Sequence, residues 1–302
     1  MTGALWLGID MGGTATRWVA RDAGGALVAR GTQAGATGLL FDAASRTAFV
    51  EALAGCAAAA PGPLQGAVLG ITGSGLQPDD DLIATAAGAL DLAAARVQAL
   101  NDMVLAWHTA FPRGGGHLVL AGTGSVGLSV DAGGGITLVG GRGALIDDGG
   151  SGAWIALRAL DRVWRAIDHA GHPEGVKILA RHLFAAIGGE DWEDTRRYVY
   201  GRDRGAIGRL ATAVAAAAHE GDAAALEILH HAGQELARLG HALIARCGAA
   251  PVGLTGGVLA LHPAIAAAMR ADLPGVDLQP MTLDAAAHAA AMARDRFLPE
   301  AR

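Results

Sequence analysis

Short apolar runs separated by glycine-rich turns open the chain. One such run covers 5–9 and ends at Asp10, the turn 12–14 follows, and a second β-compatible run covers 16–20. Apolar runs of this length predict buried strands, and two of them joined through glycines predict a hairpin. A third strand is predicted at 26–31. The first thirty residues therefore predict three strands in succession.

The same pattern returns in the middle of the chain. The order of strand, glycine turn, strand and strand is predicted again at 117–121, 122–125, 126–130 and 136–140. A repeat of this kind predicts two similarly folded domains that face each other. The proline- and glycine-rich stretch 112–116 is typical of a linker. We therefore expect domains at 1–113 and 114–302, with a final helix from about 284 that is free to pack on the first domain.

Helical periodicity and helix-breaking residues predict most of the remaining elements. In the first half, helices are predicted at 45–60, 79–92 and 103–111, and strands at 66–72 and 97–100. In the second half, a strand is predicted at 252–255, and helices at 152–169, 176–187, 207–220, 222–247, 263–272 and 284–297. Strands that alternate with helices in both halves predict an α/β fold.

Composition narrows the functional classes. The 302 residues are 52% hydrophobic and 17% charged with a net charge of −6, which favours a globular enzyme and disfavours a nucleic-acid or anionic-membrane partner. Cys56 and Cys247 have no CxxC spacing, so we expect a reducing cytoplasm and neither a disulfide framework nor a zinc site. Gly8 interrupts the apolar N-terminus, which disfavours a signal peptide. Arginines are expected to form a solvated or subunit-contact face at 196, 197, 202, 204 and 209.

Two of the glycine turns have a composition suited to binding anions. Glycine lets the backbone approach a bulky anion, and neighbouring threonine or serine adds a hydroxyl donor. The turns 12–14 and 122–125 both combine these residue types. Each turn alone is equally typical of a surface hairpin, but the pair predicts phosphate binding. Asp10, beside the first turn, is suited to hold Mg²⁺ through water.

Two short polar segments that contain aspartate, 101–102 and 147–148, are candidates for the chemistry of the site. Asn101 and Asp102 come after strand 97–100, at the edge where open α/β sheets place their chemistry. A carboxylate there can accept the proton of a hydroxyl during phosphoryl transfer. Both residue types are also good helix N-caps. Likewise, Asp147 and Asp148 are suited either to bind ligand hydroxyls or to cap the helix that follows.

Five motifs in the chain, at 8–14, 120–125, 140–154, 220–223 and 255–258, occur in the order found in one known family. They resemble the first phosphate motif, second phosphate motif, sugar segment, a helical region and the adenosine motif of N-acetylglucosamine kinases. These kinases are a branch of the BadF/BadG ATPase family in the actin, hexokinase and Hsp70 superfamily. The resemblance implies two ribonuclease-H-like (actin-type ATPase) α/β domains with a cleft between them. It also implies a cytoplasmic homodimer that uses ATP and Mg²⁺ to phosphorylate an amino sugar, with N-acetylglucosamine and its 6-phosphate expected first.

The resemblance assigns roles to individual residues. Asp102 corresponds to the catalytic aspartate, whereas Asp10 is expected to bind the metal because of its position beside the first glycine turn. The ATP-binding residues implied are Gly12, Gly13, Thr14, Gly122, Thr123, Gly124, Ser125, Gly256 and Gly257. The sugar-binding residues implied are Asp102, Asn101, Gly141, Arg142, Gly143, Asp148 and Ser74.

The chain departs from the family pattern around the implied sugar site. The family segment reads Gly-Trp-Gly and later Gly-Asp-Glu-Gly-Ser, whereas Arg142 here replaces the tryptophan, Asp147 a glycine and Gly149 the glutamate. The family also places an asparagine near the position of Gly38. These departures leave open whether the substrate is N-acetylated or carries a free amine.

Two other functions remain alternatives. A glucosamine kinase would suit the neighbouring carboxylates Asp147 and Asp148, because a free amine is an ammonium. An activator ATPase of an acyl-CoA dehydratase would need cysteines from two subunits to hold an iron–sulfur cluster. Cys56 and Cys247 both lie in predicted helices away from the glycine-rich segment, which disfavours that function.

Overall fold

The computed structural model describes residues 3–112 and 114–299. The chain forms two compact α/β units, one built from the described parts of 1–114 and 283–302 and the other from 115–282. The first break lies one residue from the expected boundary. The second unit ends at 282 rather than 302, because the described residues from 283 onward belong to the first unit, which is the option kept above for the final helix.

The first unit is built on a five-stranded mixed sheet with the strand order β3-β2-β1-β4-β5. The strands are β1 (Leu5–Met11), β2 (Ala15–Arg21), β3 (Leu27–Ala34), β4 (Leu64–Ile71) and β5 (Val97–Asn101), and the helices are α1 (Ala43–Ala59), α2 (Asp80–Ala89) and α3 (Asp102–Ala110). The strands β1 to β3 are antiparallel, whereas β1, β4 and β5 are parallel. The predicted hairpin and third strand are confirmed.

Register places the ends of the three parallel strands in one row. Met11 pairs with Ile71, and Ile71 pairs with Asn101. Because parallel strands end at the same edge of a sheet, the residues that follow them emerge together. The turn after β1, the loop after β4 and the start of α3 therefore lie at one edge of this unit.

The second unit repeats this sheet, with the strand order β10-β9-β6-β7-β8. Its strands are β6 (His117–Ala121), β7 (Ser125–Val130), β8 (Ile136–Gly140), β9 (Val252–Thr255) and β10 (Leu278–Pro280). Its helices are α4 (Gly152–Ala170), α5 (Lys177–Ile187), α6 (Trp192–Gly201), α7 (Arg204–Arg209), α8 (Ala211–His219), α9 (Ala223–Cys247) and α10 (Pro263–Asp272). In both units an antiparallel meander is extended by two parallel strands, as the sequence repeat predicts.

The C-terminal helix α11 (Ala285–Phe297) packs on the sheet of the first unit. Small residues make this close approach possible: a Cβ atom added at Gly8 of β1 would overlap the backbone of Ala286 and Ala290. Trp6 and Val68 are buried in the same cluster as alanines of this helix. Across 3–112 and 114–299, none of the helices combines the length and the apolar character needed to cross a bilayer.

Candidate active site

Asn101 and Asp102 begin α3 at the parallel-strand edge of the first unit. Asn101 is buried, its side-chain oxygen accepts the Met103 N–H at 3.0 Å, and its amide donates to the Ser74 carbonyl at 2.8 Å. Asn101 is therefore the N-cap of α3 and also holds the loop after β4. Asp102 accepts the same N–H at 2.9 Å, but it occupies the first helical turn and is not the cap itself.

The carboxyl group of Asp102 is partly buried, and this burial changes its pKa. Burial raises its pKa above the ordinary aspartate value, and hydrogen bonds from Thr72 and Met103 partly oppose that rise. A raised pKa makes a carboxylate a stronger base, provided that it is still ionised at neutral pH. A half-buried carboxylate with a raised pKa therefore lies at the start of α3.

Asp10 lies at the end of β1 and interacts electrostatically with Asp102. Burial raises the pKa of Asp10, Arg17 at 3.8 Å opposes the rise, and the charges of Asp102 and Asp284 add to it. A cation near these carboxylates would offset their repulsion. Among the described residues, no cluster of three or more His, Cys, Asp or Glu side chains could form a protein metal cage. Mg²⁺ does not require one, because it is usually held by one or two carboxylates, substrate phosphates and water.

The first glycine turn (Gly12, Gly13 and Thr14) joins β1 to β2. The Gly12 N–H donates to the Ala15 carbonyl at 3.0 Å, and the Gly12 carbonyl accepts the Ala36 N–H at 3.2 Å. Gly13 and Thr14 are exposed at its tip. The turn is therefore fixed at its base and presents its tip at the same edge as Asp102.

Gly38 and Ser74 lie against each other at this edge. The Gly38 N–H donates to the Thr72 carbonyl at 2.9 Å, and a Cβ atom at position 38 would lie 3.1 Å from the Ser74 backbone nitrogen and 3.0 Å from Ile71 Cγ2. The Ser74 hydroxyl donates to the Ile71 carbonyl at 2.8 Å. An asparagine, which the family places near this position, would be crowded at position 38.

The second glycine turn (Gly122, Thr123, Gly124 and Ser125) joins β6 to β7 in the second unit. The Gly122 N–H donates to the Gly124 carbonyl at 2.8 Å, and the first N–H groups of α4 donate to the Gly122 and Thr123 carbonyls. The buried Ser125 hydroxyl donates to the Gly149 carbonyl at 2.7 Å. Thr123 therefore provides the exposed hydroxyl of this turn.

Gly256 and Gly257 follow β9, which pairs in parallel with β6. Gly256 has a φ of 112°, and a Cβ atom there would overlap the backbone of Ala121. A Cβ atom at Gly257 would meet nothing within 4 Å. The two glycines therefore differ: Gly256 is required by the backbone, whereas Gly257 leaves open space beside the second glycine turn.

The segment after β8 turns through Gly141 and Gly143, which have φ values of 70° and 91°. Arg142 is exposed and contacts Asp147 at 3.3 Å, and Asp147 also contacts Arg238 at 3.0 Å. A Cβ atom at Gly149, where the family has glutamate, would overlap the carboxylate of Glu235 from α9. The Glu235 carboxylate thus occupies the space that a side chain at position 149 would need.

Asp148 is placed differently from its neighbour Asp147. It adopts a φ of 63°, and its side chain is only 2% exposed. Its carboxylate forms an ion pair with Arg204 and lies 3.5 Å from the Ser125 N–H. Arg204 was expected on a solvated or subunit-contact face; its side chain is half-exposed, and it also binds this buried carboxylate, which was not predicted. A contact over 56 residues leaves no periodic signal in the sequence.

The model of the BadF/BadG/BcrA/BcrD ATPase family matches residues 7–277. The chain belongs to this family. No curated protein matches the sequence of this chain significantly.

Solved structures resemble this ATPase-family protein over nearly its whole length. A candidate N-acetylglucosamine kinase from Chromobacterium violaceum is 25% identical, with a TM-score of 0.72 and coverage of 96% of this chain and 98% of that one. A candidate N-acetylglucosamine kinase from Porphyromonas gingivalis is 18% identical, with a TM-score of 0.72 and coverages of 96% and 99%. A ROK family glucokinase from Streptomyces griseus, in complex with glucose and AMPPNP, is 16% identical, with a TM-score of 0.59 and coverages of 97% and 99%. The two-domain actin-type ATPase fold is confirmed.

Proposed function

We propose that this protein is an ATP-dependent sugar kinase that phosphorylates an amino sugar, with N-acetylglucosamine and its 6-phosphate as the preferred substrate and product. The observation that carries the proposal is the half-buried carboxylate of Asp102, with its raised pKa, at the same sheet edge as Asp10 and the first glycine turn. Membership of an ATPase family and the likeness to a candidate N-acetylglucosamine kinase support it.

In this proposal Asp102 is the general base. Its carboxylate accepts the proton of the sugar 6-hydroxyl as the oxygen attacks the γ-phosphorus and the bond to ADP breaks. Asn101 and Ser74 are the proposed sugar-binding residues of the first unit beside Asp102, and Gly141, Arg142 and Gly143 are proposed sugar-binding residues of the second unit. Bound Mg²⁺ near Asp10 would supply charge neutralisation of the phosphates.

Both glycine turns are assigned to ATP. Gly12, Gly13 and Thr14 are proposed to bind phosphate oxygens through backbone N–H groups and a hydroxyl. Gly122, Thr123, Gly124 and Ser125 are assigned the same task in the second unit, with the Ser125 contribution coming from its backbone. Gly256 and Gly257 are proposed to lie beside the adenosine, where open space at Gly257 leaves room for a ligand.

The chemistry of the cysteines favours the kinase over an activator ATPase. Cys56 is buried in α1, and burial raises the pKa of its thiol to about 12. A cluster ligand must be a thiolate that its iron can reach. Burial shields the Cys56 thiol inside the first unit, which disfavours it as a ligand of an iron–sulfur cluster.

The proposal is tested by measuring ATP-dependent phosphorylation of N-acetylglucosamine, N-acetylmannosamine, glucosamine and glucose by the whole chain. We expect kcat/KM to be highest for N-acetylglucosamine, with the 6-phosphate as product. A higher value for glucosamine would identify the free amine as the substrate feature. Phosphorylation of none of these sugars would contradict the proposal.

Asp102→Asn provides the decisive variant in the same assay. Asparagine keeps the size of the side chain but cannot accept the proton, so kcat is expected to fall about 10²–10⁴-fold. ATP affinity, measured by calorimetric titration, should remain near the wild-type value. Activity within about threefold of wild type, far short of the contribution of a positioned base, would show that Asp102 is not the base.

A further inference from the structure

Arg204 is held at the second glycine turn by a buried carboxylate. It forms an ion pair with Asp148, yet 47% of the Arg204 side chain is exposed, compared with 2% for Asp148. A guanidinium carries five N–H donors, and a single carboxylate satisfies only part of them. The arginine is therefore anchored at one end and retains donors that a ligand can reach.

The guanidinium lies directly against the backbone of the turn. A Cβ atom added at Gly124 would overlap Arg204 Nη2 and would lie 3.1 Å from Asp148 Oδ2. The helix that begins at Arg204 also packs on the turn, since a Cβ atom at Gly208 would lie 3.3 Å from Thr123 Cγ2. Glycine at position 124 thus makes room for the guanidinium against the second glycine turn.

The backbone at Asp148 is arranged to reach this position. Its φ of 63° places a non-glycine residue in the left-handed region, which is uncommon and tends to occur at functional sites. In this conformation the carboxylate reaches both Arg204 and the Ser125 N–H of the turn. One buried carboxylate therefore links the cation to the turn.

We infer that Arg204 binds the phosphates of ATP at the second glycine turn and that Asp148 is the positioning residue that holds it there. The inference rests on the proposed ATP-dependent function. Arginine binds phosphate through paired N–H groups, and transfer of a phosphoryl group requires neutralisation of phosphate charge.

The test compares binding of ATP with binding of adenosine, which lacks phosphates. Arg204→Ala is expected to weaken ATP binding about 10- to 100-fold, because hydrogen bonds to a charged group are lost. The affinity of the variant for adenosine, measured by competition, should stay within about twofold of the wild-type value, since adenosine carries no phosphate for the arginine to contact. Arg204→Lys keeps the charge without the paired N–H groups and should give an intermediate loss. Asp148→Asn should weaken ATP binding in the same direction as Arg204→Ala, again without an effect on adenosine.

Arg162→Ala is the matched control. Arg162 lies on α4 in a half-exposed ion pair with Glu227 at 3.4 Å, and its removal should leave both affinities unchanged. Equal losses for ATP and adenosine in Arg204→Ala, or unchanged ATP binding, would overturn the inference, as would a wild-type protein that binds no ATP. A wild-type protein that binds ATP through Arg204 but phosphorylates no sugar would refute the kinase proposal alone.

Discussion

At the scale of single residues, neighbouring polar side chains at one sheet edge are given different tasks by burial and hydrogen bonding. Asn101 uses both ends of its amide to cap α3 and to hold the Ser74 carbonyl. Asp102, one residue later, keeps a carboxylate whose pKa is raised by burial. The sequence alone left capping and catalysis open for both residues, and the structure assigns the cap to Asn101.

Asp102 should lower the stability of the folded protein at neutral pH. Because its pKa is raised on folding, the folded state binds its proton more tightly than the unfolded state, so stability falls as pH rises through the window between the two pKa values. Asp102→Asn removes the buried charge and should raise Tm at pH 7. This gain should shrink as pH is lowered below the ordinary aspartate pKa, where the wild-type carboxyl is protonated in both states.

Thermal unfolding of the two proteins at a series of pH values measures this effect. In the same series, wild-type kcat/KM, which reports the ionisations of the free enzyme, should fall on the acid side at a pH above the ordinary aspartate pKa, because the base must be ionised. A Tm for Asp102→Asn below that of the wild type at neutral pH would contradict the prediction. The charge of Asp102 also contributes to the raised pKa of Asp10.

Arg204 shows what could not be predicted from local sequence. The glycine turns were recognisable because glycines occur together with threonine, and in the second turn also with serine, within three or four residues. Arg204 lies 56 residues from Asp148, on a short helix within a stretch that carries several other arginines. Nothing in the spacing distinguishes it from Arg196 and Arg197, which pair with acidic residues on their own helix.

At the scale of elements, the predicted strands are the most accurate part, since apolar runs end clearly at glycine turns. Helix α6 was missed, because its charged residues and flanking glycines hide a helix that buries only Thr195 and Tyr198. The helix predicted at 207–220 was wrong in outline: the chain forms α7 and α8 instead, and the break between them falls at Leu210. Strand β10 was missed because it has only three residues and ends in proline.

The turn after β9 gives a matched pair of glycine variants. Gly256→Ala should lower the free energy of unfolding by about 1–3 kcal/mol or more, because the position has a positive φ and its Cβ would overlap the Ala121 backbone. Gly257→Val should fold normally, since the space around it is open, but should raise the KM for ATP much more than the KM for sugar.

Chemical denaturation and steady-state kinetics on both variants check this pair. Unchanged ATP kinetics in a folded Gly257→Val protein would remove Gly257 from the nucleotide site. Equal stability of the Gly256→Ala and wild-type proteins would contradict the backbone argument.

At the scale of the whole molecule, the two units have the same strand arrangement, but one is a single segment of the chain and the other is made of two. The second unit is one segment, 115–282, whereas the first is completed by residues from 283 onward. The internal repeat of glycine turns was enough to predict the duplicated sheet. The return of α11 was only one option at the sequence level, because an alanine-rich helix packs equally well on any apolar face that small residues leave open.

The contact between α11 and β1 predicts where a single substitution disrupts the first unit. Gly8→Val places a side chain against the backbone of Ala286 and Ala290, so α11 must shift. Overpacking of this kind costs about 1–3 kcal/mol. We expect hydrogen exchange, measured by mass spectrometry on the full chain, to increase in β1, β4 and α11 while the peptides of 115–282 keep their protection.

Gly88→Ala is the control for this prediction, because Gly88 is exposed on α2 and a Cβ atom there meets nothing within 4 Å. Alanine in a helix is favoured over glycine by about 0.5–1 kcal/mol, so this variant should be as stable as the wild type or slightly more stable. Loss of protection spread equally over both units in Gly8→Val would mean that the units unfold as one. Loss confined to the first unit would mean that α11 stabilises the sheet carrying Asp102 independently of the second unit.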